Sequence, residues 1–205
     1  MPSEPAAVVH VVDDDAALRV ALRRLLERAG YTVHDYAGAA DFIVTPPDRR
    51  PACLLLDLQL AGASGLELQQ ALARRGSVLP IIFMSAYGDV PVTVQAMQGG
   101  ARDFLVKPVP GPTLLNAIER ALAGGSSAAK PAVVPSERAA PAQSLNEREL
   151  LVLRGVVAGR LNRDIAAELQ LSERTIKTCR AEVMRKLGAD SLAELVRLAQ
   201  PVLGD

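Results

Sequence analysis

Residues 54–68 read LLLDLQLAGASGLEL. An unbroken apolar run stops on Asp57, a short glycine-closed loop follows, and a helical pattern begins at Gly65. A continuous rather than alternating apolar run suits a strand buried on both faces, which is the habit of a parallel sheet. The same arrangement stands at 8–15, VVHVVDDD, where Val8–Val12 runs into Asp13, Asp14 and Asp15. Working outward, Thr32–Tyr36 reads as a weaker strand, Cys53–Leu56 as the strand ahead of Asp57, Pro80–Met84 as a fourth and Asp103–Val106 as a fifth, closed by Lys107–Pro108. Between them Leu18, Ala21, Leu22, Leu25, Leu26 and Ala29 recur at helical spacing and stop at Gly30. Gly65–Ala73, Val92–Met97 and Thr113–Ala123 read as further helices. The alternation predicts an α/β unit with a doubly wound, five-stranded parallel sheet, whose sites lie at the carboxyl ends of the strands.

The 205 residues exceed one domain of roughly 150 and fall short of two. Residues 124–143, GGSSAAKPAVVPSERAAPAQ, hold three prolines and no helical stripe, so they read as a flexible Pro/Ala linker. The expected division is 1–123, linker, and 144–205. Basic and acidic residues number 23 each, which excludes an acidic disordered chain or a basic tail that coats nucleic acid. Two cysteines exclude a disulfide scaffold and suit a reducing compartment. The start lacks a basic n-region, and no run approaches about 18 apolar residues, so a cytoplasmic protein with no membrane contact is expected.

Asp13, Asp14 and Asp57 all follow strands. If those strands are neighbours the carboxylates converge, and two like charges about 5 Å apart repel by roughly 3 kcal/mol at an effective dielectric near 20. A divalent cation relieves that, and an all-oxygen donor set suits Mg²⁺. Lys107 after the fifth strand brings an ammonium to the same edge, and Ser85 after the fourth brings a hydroxyl. Such an assembly suits phosphoryl transfer, with Asp57 as nucleophile, Asp13 and Asp14 as metal ligands, and Lys107 and Ser85 as contacts to phosphoryl oxygens. His10 and His34 lack metal-ligand spacing and read as structural.

The stretches VVDDD at 11–15, LLLDLQLAGASGLEL at 54–68 and MSAYGDVPVTVQAMQGGARDFLVKP at 84–108 resemble a two-component receiver domain of the FixJ/NarL type, over residues 7–123. The resemblance implies a flavodoxin-like fold and phosphorylation of Asp57 by a sensor histidine kinase. It implies Mg²⁺ held by Asp13, Asp57 and the main-chain carbonyl of Gln59, with Asp14 acting through water. It further implies a cis Lys107–Pro108 bond and a switch pair, Ser85 and Phe104, in which the hydroxyl moves toward the phosphoryl group and the aromatic ring turns inward behind it. The family usually has Met-Pro where this chain has Leu60–Ala61, which frees the loop backbone without removing a catalytic group.

From Ser144 the pattern is all helical. Asn146 and Glu149 suit a capping box for a helix broken by Gly159. Asn162 is expected to open Arg163–Leu169, Ser172 to open Glu173–Leu187, and Ser191 to open Leu192–Ala199. The two middle segments have the spacing of a helix-turn-helix, with Lys177, Thr178 and Ala181 on a face free to meet a major groove, although an ordinary solvated basic face fits the spacing equally well. Residues 145–199 resemble the LuxR-type module of the same regulators. That likeness implies base-side contacts from Lys177, Thr178 and Ala181, and phosphate contacts from Ser172, Thr175, Arg180 and the nearby basic residues Arg174 and Arg185. It implies dimerisation through Leu192, Leu195, Val196 and Ala199 of the last helix. Cys179 stands where the family usually has His, and a small thiol there reads as packing. The expected function is that of a response regulator, not an enzyme with metabolic turnover. Phosphorylation drives a homodimer onto promoter DNA, RNA polymerase is a further partner, and activation is the expected sign. The rival is a phosphorelay or protein-interaction module whose second half holds a protein instead of DNA.

Overall fold

A computed structural model describes residues 7–46, 50–86, 89–123 and 145–203. The expected linker at 124–143 lies outside the described residues. Among these the chain forms two compact units, one of 7–86 and 99–123 and the other of 89–98 and 145–203.

In chain order the elements through residue 123 are β1 (Val8–Val12), α1 (Ala16–Arg28), β2 (Thr32–Tyr36), α2 (Ala39–Ile43), β3 (Ala52–Asp57), β4 (Gln59–Leu60), β5 (Ala63–Ser64), α3 (Gly65–Arg74), β6 (Ile81–Ser85), α4 (Val90–Gln98), β7 (Asp103–Val106) and α5 (Gly111–Ala123). The sheet has the order β2-β1-β3-β6-β7, and every pairing is parallel. All five residues of β1 and of β6 are buried, which explains why both runs are almost wholly apolar, with His10 the exception in β1 and Ser85 at the end of β6. Edge strand β2 alternates, with Val33 inside and His34 exposed, and this is why it reads weakly. Val9, Val11, Leu26, Leu55, Ile82, Met84, Leu114 and Ile118 form the centre of an aliphatic core.

The register places the site. Val12 pairs with Leu56, so Asp13 and Asp57 leave the sheet side by side. Asp57 pairs with Met84, and Ser85 with Val106, so Lys107 arrives at the same edge one residue later. Chain order reverses between β1 and β3, and that is where an open α/β sheet leaves a crevice.

Two features have no counterpart in the sequence reading. Helix α2 is only 5 residues long, too short to show a periodic stripe. The loop after Asp57 folds as a small antiparallel hairpin, with Gln59 opposite Ser64 and Leu60 opposite Ala63, turning through Ala61 and Gly62. Gly62 takes φ +85°, which explains a glycine there. The loop that lacks the usual proline is therefore tied by its own hairpin. Ser64 then caps α3, accepting from the Leu66 N–H while Glu67 accepts from the Ser64 N–H.

The second unit contains α4 together with α6 (Glu147–Val157), α7 (Asn162–Leu169), α8 (Glu173–Leu187) and α9 (Leu192–Leu203). Asn146 and Glu149 form the expected capping box. Asn162 does not open α7 as expected. Leu161 occupies the cap position without a side-chain bond, Asn162 is the first helical residue, and its Oδ1 is buried without a partner. Gln170 in left-handed conformation and Ser172 as cap make the tight turn between α7 and α8. Val152, Val156, Ile165, Ile176, Val183 and Leu195 are packed together at its centre.

Gly65 is the tightest point of the loop that follows Asp57. A Cβ there would lie 2.4 Å from the Asp57 carbonyl oxygen and 3.1 Å from the Phe83 ring. Gly65→Ala is therefore expected to destabilise the chain by about 1–3 kcal/mol, measured by urea denaturation; an unchanged midpoint would show that the α3 terminus yields freely.

Candidate functional site

Strand ends bring together the residues that the sequence singled out. The Lys107 Nζ donates to Asp13 Oδ2 at 2.8 Å and to Asp57 Oδ1 at 3.0 Å. Asp13 is fully buried, Asp57 nearly so, and Asp14 is exposed. Carboxylate oxygens of Asp13, Asp14 and Asp57 lie within 4.8 Å of one another. A cavity of about 280 Å³ opens on this group, with Asp57, Gln59, Ser85 and Lys107 in its wall. Ser85 is buried, its carbonyl accepts from the Lys107 N–H at 2.7 Å, and the Lys107–Pro108 peptide is cis.

The electrostatics follow from this crowding. Burial pushes the Asp57 carboxyl above the ordinary carboxylate range; the bond and charge of Lys107 pull it back, and Asp13 adds to the rise. Burial also opposes the Lys107 charge, but its bonds to Asp13 and Asp57 outweigh that and hold the ammonium above its ordinary value. One cation thus serves two buried carboxylates, with a third beside them. Hard oxygen donors in this number fit a divalent cation such as Mg²⁺.

Two supporting residues escaped the sequence reading. Asp15 caps α1, accepting from the N–H groups of Ala17 and Leu18 at 2.8 and 3.1 Å, while Asp13 Oδ1 accepts from the Asp15 N–H. A cap three residues past a strand was the available signal. Arg19 donates to the Asp13 carbonyl at 2.6 Å and is paired with Asp35 of β2 at 3.2 Å. That contact joins separate elements and has no local pattern.

Phe104, the other member of the expected switch pair, is buried and stacked on Phe83, with ring centroids 6.1 Å apart.

In the second unit, Arg174, Lys177, Thr178 and Ala181 stand exposed on α8, while Ile176, Cys179 and Val183 turn inward. Leu187, the end of the inward stripe, is partly buried. Ser172 is exposed at the amino end, where its Oγ accepts from the Thr175 N–H. Among the described residues Arg174, Lys177 and Arg180 make no ion pair, whereas Arg185 is paired with Glu182 at 2.8 Å. Lys186 is tied to the buried Glu149 at 2.7 Å, which holds that carboxyl below its ordinary range. The face thus keeps three uncommitted cations and a helix amino end open to anions. Burial pushes the Cys179 thiol up, the reverse of what a reactive thiolate needs. Of the stripe expected to carry dimerisation, Leu195, Val196 and Ala199 are buried in the unit's core, and Leu192 is partly buried.

Residues 9–119 match the family described as response regulator receiver domain, and residues 143–199 match bacterial regulatory proteins of the luxR family. The chain is 42% identical over 191 residues to the transcriptional regulatory protein FixJ of Bradyrhizobium diazoefficiens, covering 93% of each chain. It is 37% identical to the response regulator protein TmoT of Ectopseudomonas mendocina, covering 97% of this chain and 90% of that one. Among solved structures, full-length FixJ from B. japonicum is similar with a TM-score of 0.55 and 42% identity over 94% of this chain and 95% of that one. The response regulator StyR gives 0.55 and 38% over 95% and 98%.

Because the Lys107 ammonium lowers the Asp57 pKa, removing it in Lys107→Ala is expected to move the Asp57 titration to higher pH. Carboxyl ¹³C NMR without divalent cation reads this; an unmoved titration would mean the ammonium does not govern the pocket.

Proposed function

The chain belongs to the response regulators that join a receiver domain to a LuxR-type DNA-binding domain, and from that premise we propose that Asp57 is its phosphoryl acceptor, loaded by a sensor histidine kinase. The observation that carries this reading is the Lys107 ammonium bridging Asp13 and Asp57 at the strand ends. Transcription regulation by phosphorylation is the family's work, and its members are not metabolic enzymes. What is proposed for this chain is which residues perform each part.

A carboxylate oxygen of Asp57 attacks the phosphorus of a phosphohistidine. The P–N bond breaks, its electrons return to the imidazole, which takes up a proton, and an acyl phosphate forms on Asp57. Lys107, already 3.0 Å from Asp57, offers its ammonium to the phosphoryl oxygens, and Ser85 offers a hydroxyl from the next strand. Asp13, Asp14, Asp57 and the Gln59 carbonyl would hold Mg²⁺, which when bound neutralises charge on the transferring group. Asp15 and Arg19 fix the loop that carries the acidic pair. Ser85 acts as the switch hydroxyl, and Phe104 responds from its buried position by a change in packing.

The output is promoter binding through α8. Lys177, Thr178 and Ala181 face base edges, with Ala181 offering only a methyl group. Ser172, Thr175, Arg174, Arg180 and Arg185 face phosphates, Arg185 after leaving Glu182. Homodimerisation through Leu192, Leu195, Val196 and Ala199 requires those side chains to leave the core that they occupy. A cytoplasmic location, with activation through RNA polymerase, completes the proposal. Residues 1–123 and 144–205 serve as its two domains, joined by 124–143.

Asp57→Asn is expected to abolish labelling by acetyl [³²P]phosphate with Mg²⁺, and retained labelling would remove Asp57 from the role. Lys177→Ala is expected to weaken binding to the chain's own promoter by about 1–3 kcal/mol. Gel shift at fixed salt measures this, and unchanged affinity with unchanged sequence preference would exclude base reading by Lys177.

A further inference from the structure

Among the described residues of the second unit, Glu149 is the one charged side chain that is buried, and none of the DNA contacts proposed above uses it. Its Oε2 accepts from the Asn146 N–H at 2.8 Å and from the Lys186 Nζ at 2.7 Å. The first bond belongs to the capping box that opens α6. The second reaches the last turn of α8, where Lys186 is itself largely covered. The Lys186 bond first, and that of Asn146 next, hold the carboxyl below its ordinary range, so it is charged at neutral pH. Burying a charge in this way costs desolvation that its partners only offset.

Stability alone does not call for such a pair, because packed apolar side chains of similar volume serve as well or better. What the pair adds is direction. Ile176, Cys179 and Val183 hold α8 on the core through apolar contacts, which have no preferred angle. The Ser172 cap and the turn from α7 fix the amino end of the helix. Among the described residues, Lys186–Glu149 is the ion pair that joins α8 to another helix, and it grips the opposite end. With the α7–α8 turn as pivot, a change of about 10° in the angle of α8 moves Ala181, about 13 Å along the axis from Ser172, by about 2 Å. A hydrogen-bonding site tolerates about 0.5 Å.

We propose that Glu149 is a positioning residue for DNA reading: through Lys186 it holds the carboxyl end of α8 against the first turn of α6, and so sets the angle at which Lys177, Thr178 and Ala181 meet base edges. This role presupposes that α8 contacts DNA, as proposed above. Glu149 touches no DNA itself. Charge alone gives the opposite sign, since removing a carboxylate from a DNA-binding unit relieves repulsion of phosphates and raises affinity for any sequence. Loss of the positioning contact instead lowers affinity for the specific site and leaves salt-driven binding in place.

The test uses the full chain and two duplexes, one selected by the unaltered chain from random sequence and one of the same composition with its order scrambled. Fluorescence anisotropy at fixed salt reads both affinities, and a stoichiometric titration counts the active molecules. Glu149→Gln, whose amide oxygen still accepts from the Asn146 N–H, is expected to weaken the selected duplex at least tenfold while the scrambled duplex is bound as well or better. Lys186→Met is expected to give the same loss on the selected duplex. The double variant is expected to lose no more than either single one, because both act through one contact. Circular dichroism checks that the helices are kept. A variant whose active fraction falls while its affinity for the selected duplex holds shows a structural role only and overturns the proposal. Equal weakening on both duplexes, or losses that add in the double variant, overturns it as well. An unaltered chain that does not discriminate between the duplexes overturns DNA reading by α8, and the positioning role with it.

Discussion

The ammonium of Lys107 is the only described cation hydrogen-bonded to either of the two buried carboxylates Asp13 and Asp57, and the rest of the first unit is arranged to deliver it there. Two carboxylates with one cation remain a net anion, and a third carboxylate lies within 4.8 Å. A buried ion pair of this kind is weak evidence for stability, because desolvation offsets much of the attraction. The proposed role uses this surplus of negative charge: it suits a divalent cation and, in that proposal, a phosphoryl group whose oxygens take over the Lys107 contact. The raised Asp57 pKa has the same origin, burial that the lysine only partly offsets.

Much of this was legible in the sequence because a parallel sheet converts chain position into spatial position. Continuous apolar runs identified β3 and β6, paired valines either side of His10 identified β1, and the residue after each run was necessarily at the carboxyl edge. Asp13, Asp57, Ser85 and Lys107 could therefore be placed together before any distance was known. What resisted reading was local or non-periodic. Helix α2 is too short to carry a stripe, and the β4–β5 hairpin has only 2 residues per strand. Arg19 reaches the Asp13 carbonyl across a strand–helix junction that no spacing rule describes. The inward position of Phe104 depends on stacking with Phe83 across two strands, and sequence places that ring only by analogy.

The second unit shows the same division. Caps at Asn146 and Ser172 were readable because their chemistry is local. Asn162 has the composition of a cap but lies one residue inside the helix, displaced by the turn that Gly159 and Leu161 impose. The α9 stripe was read correctly as apolar, but periodicity tells that a face is buried and not by what. In this chain the partner is its own core, so any dimer through that stripe begins with its release. The exposed face of α8 behaves differently. Its cations Arg174, Lys177 and Arg180 face solvent or sit half-buried without carboxylate partners among the described residues, as a surface awaiting an anion does.

The account turns on whether the acidic pocket is built to hold a cation. Isothermal titration of the full chain with Mg²⁺, compared with Asp13→Asn, tests that most directly. One Mg²⁺ bound per chain, with binding lost in the folded variant, is the predicted result. No Mg²⁺ uptake by the unaltered chain, or equal uptake by both proteins, would contradict it.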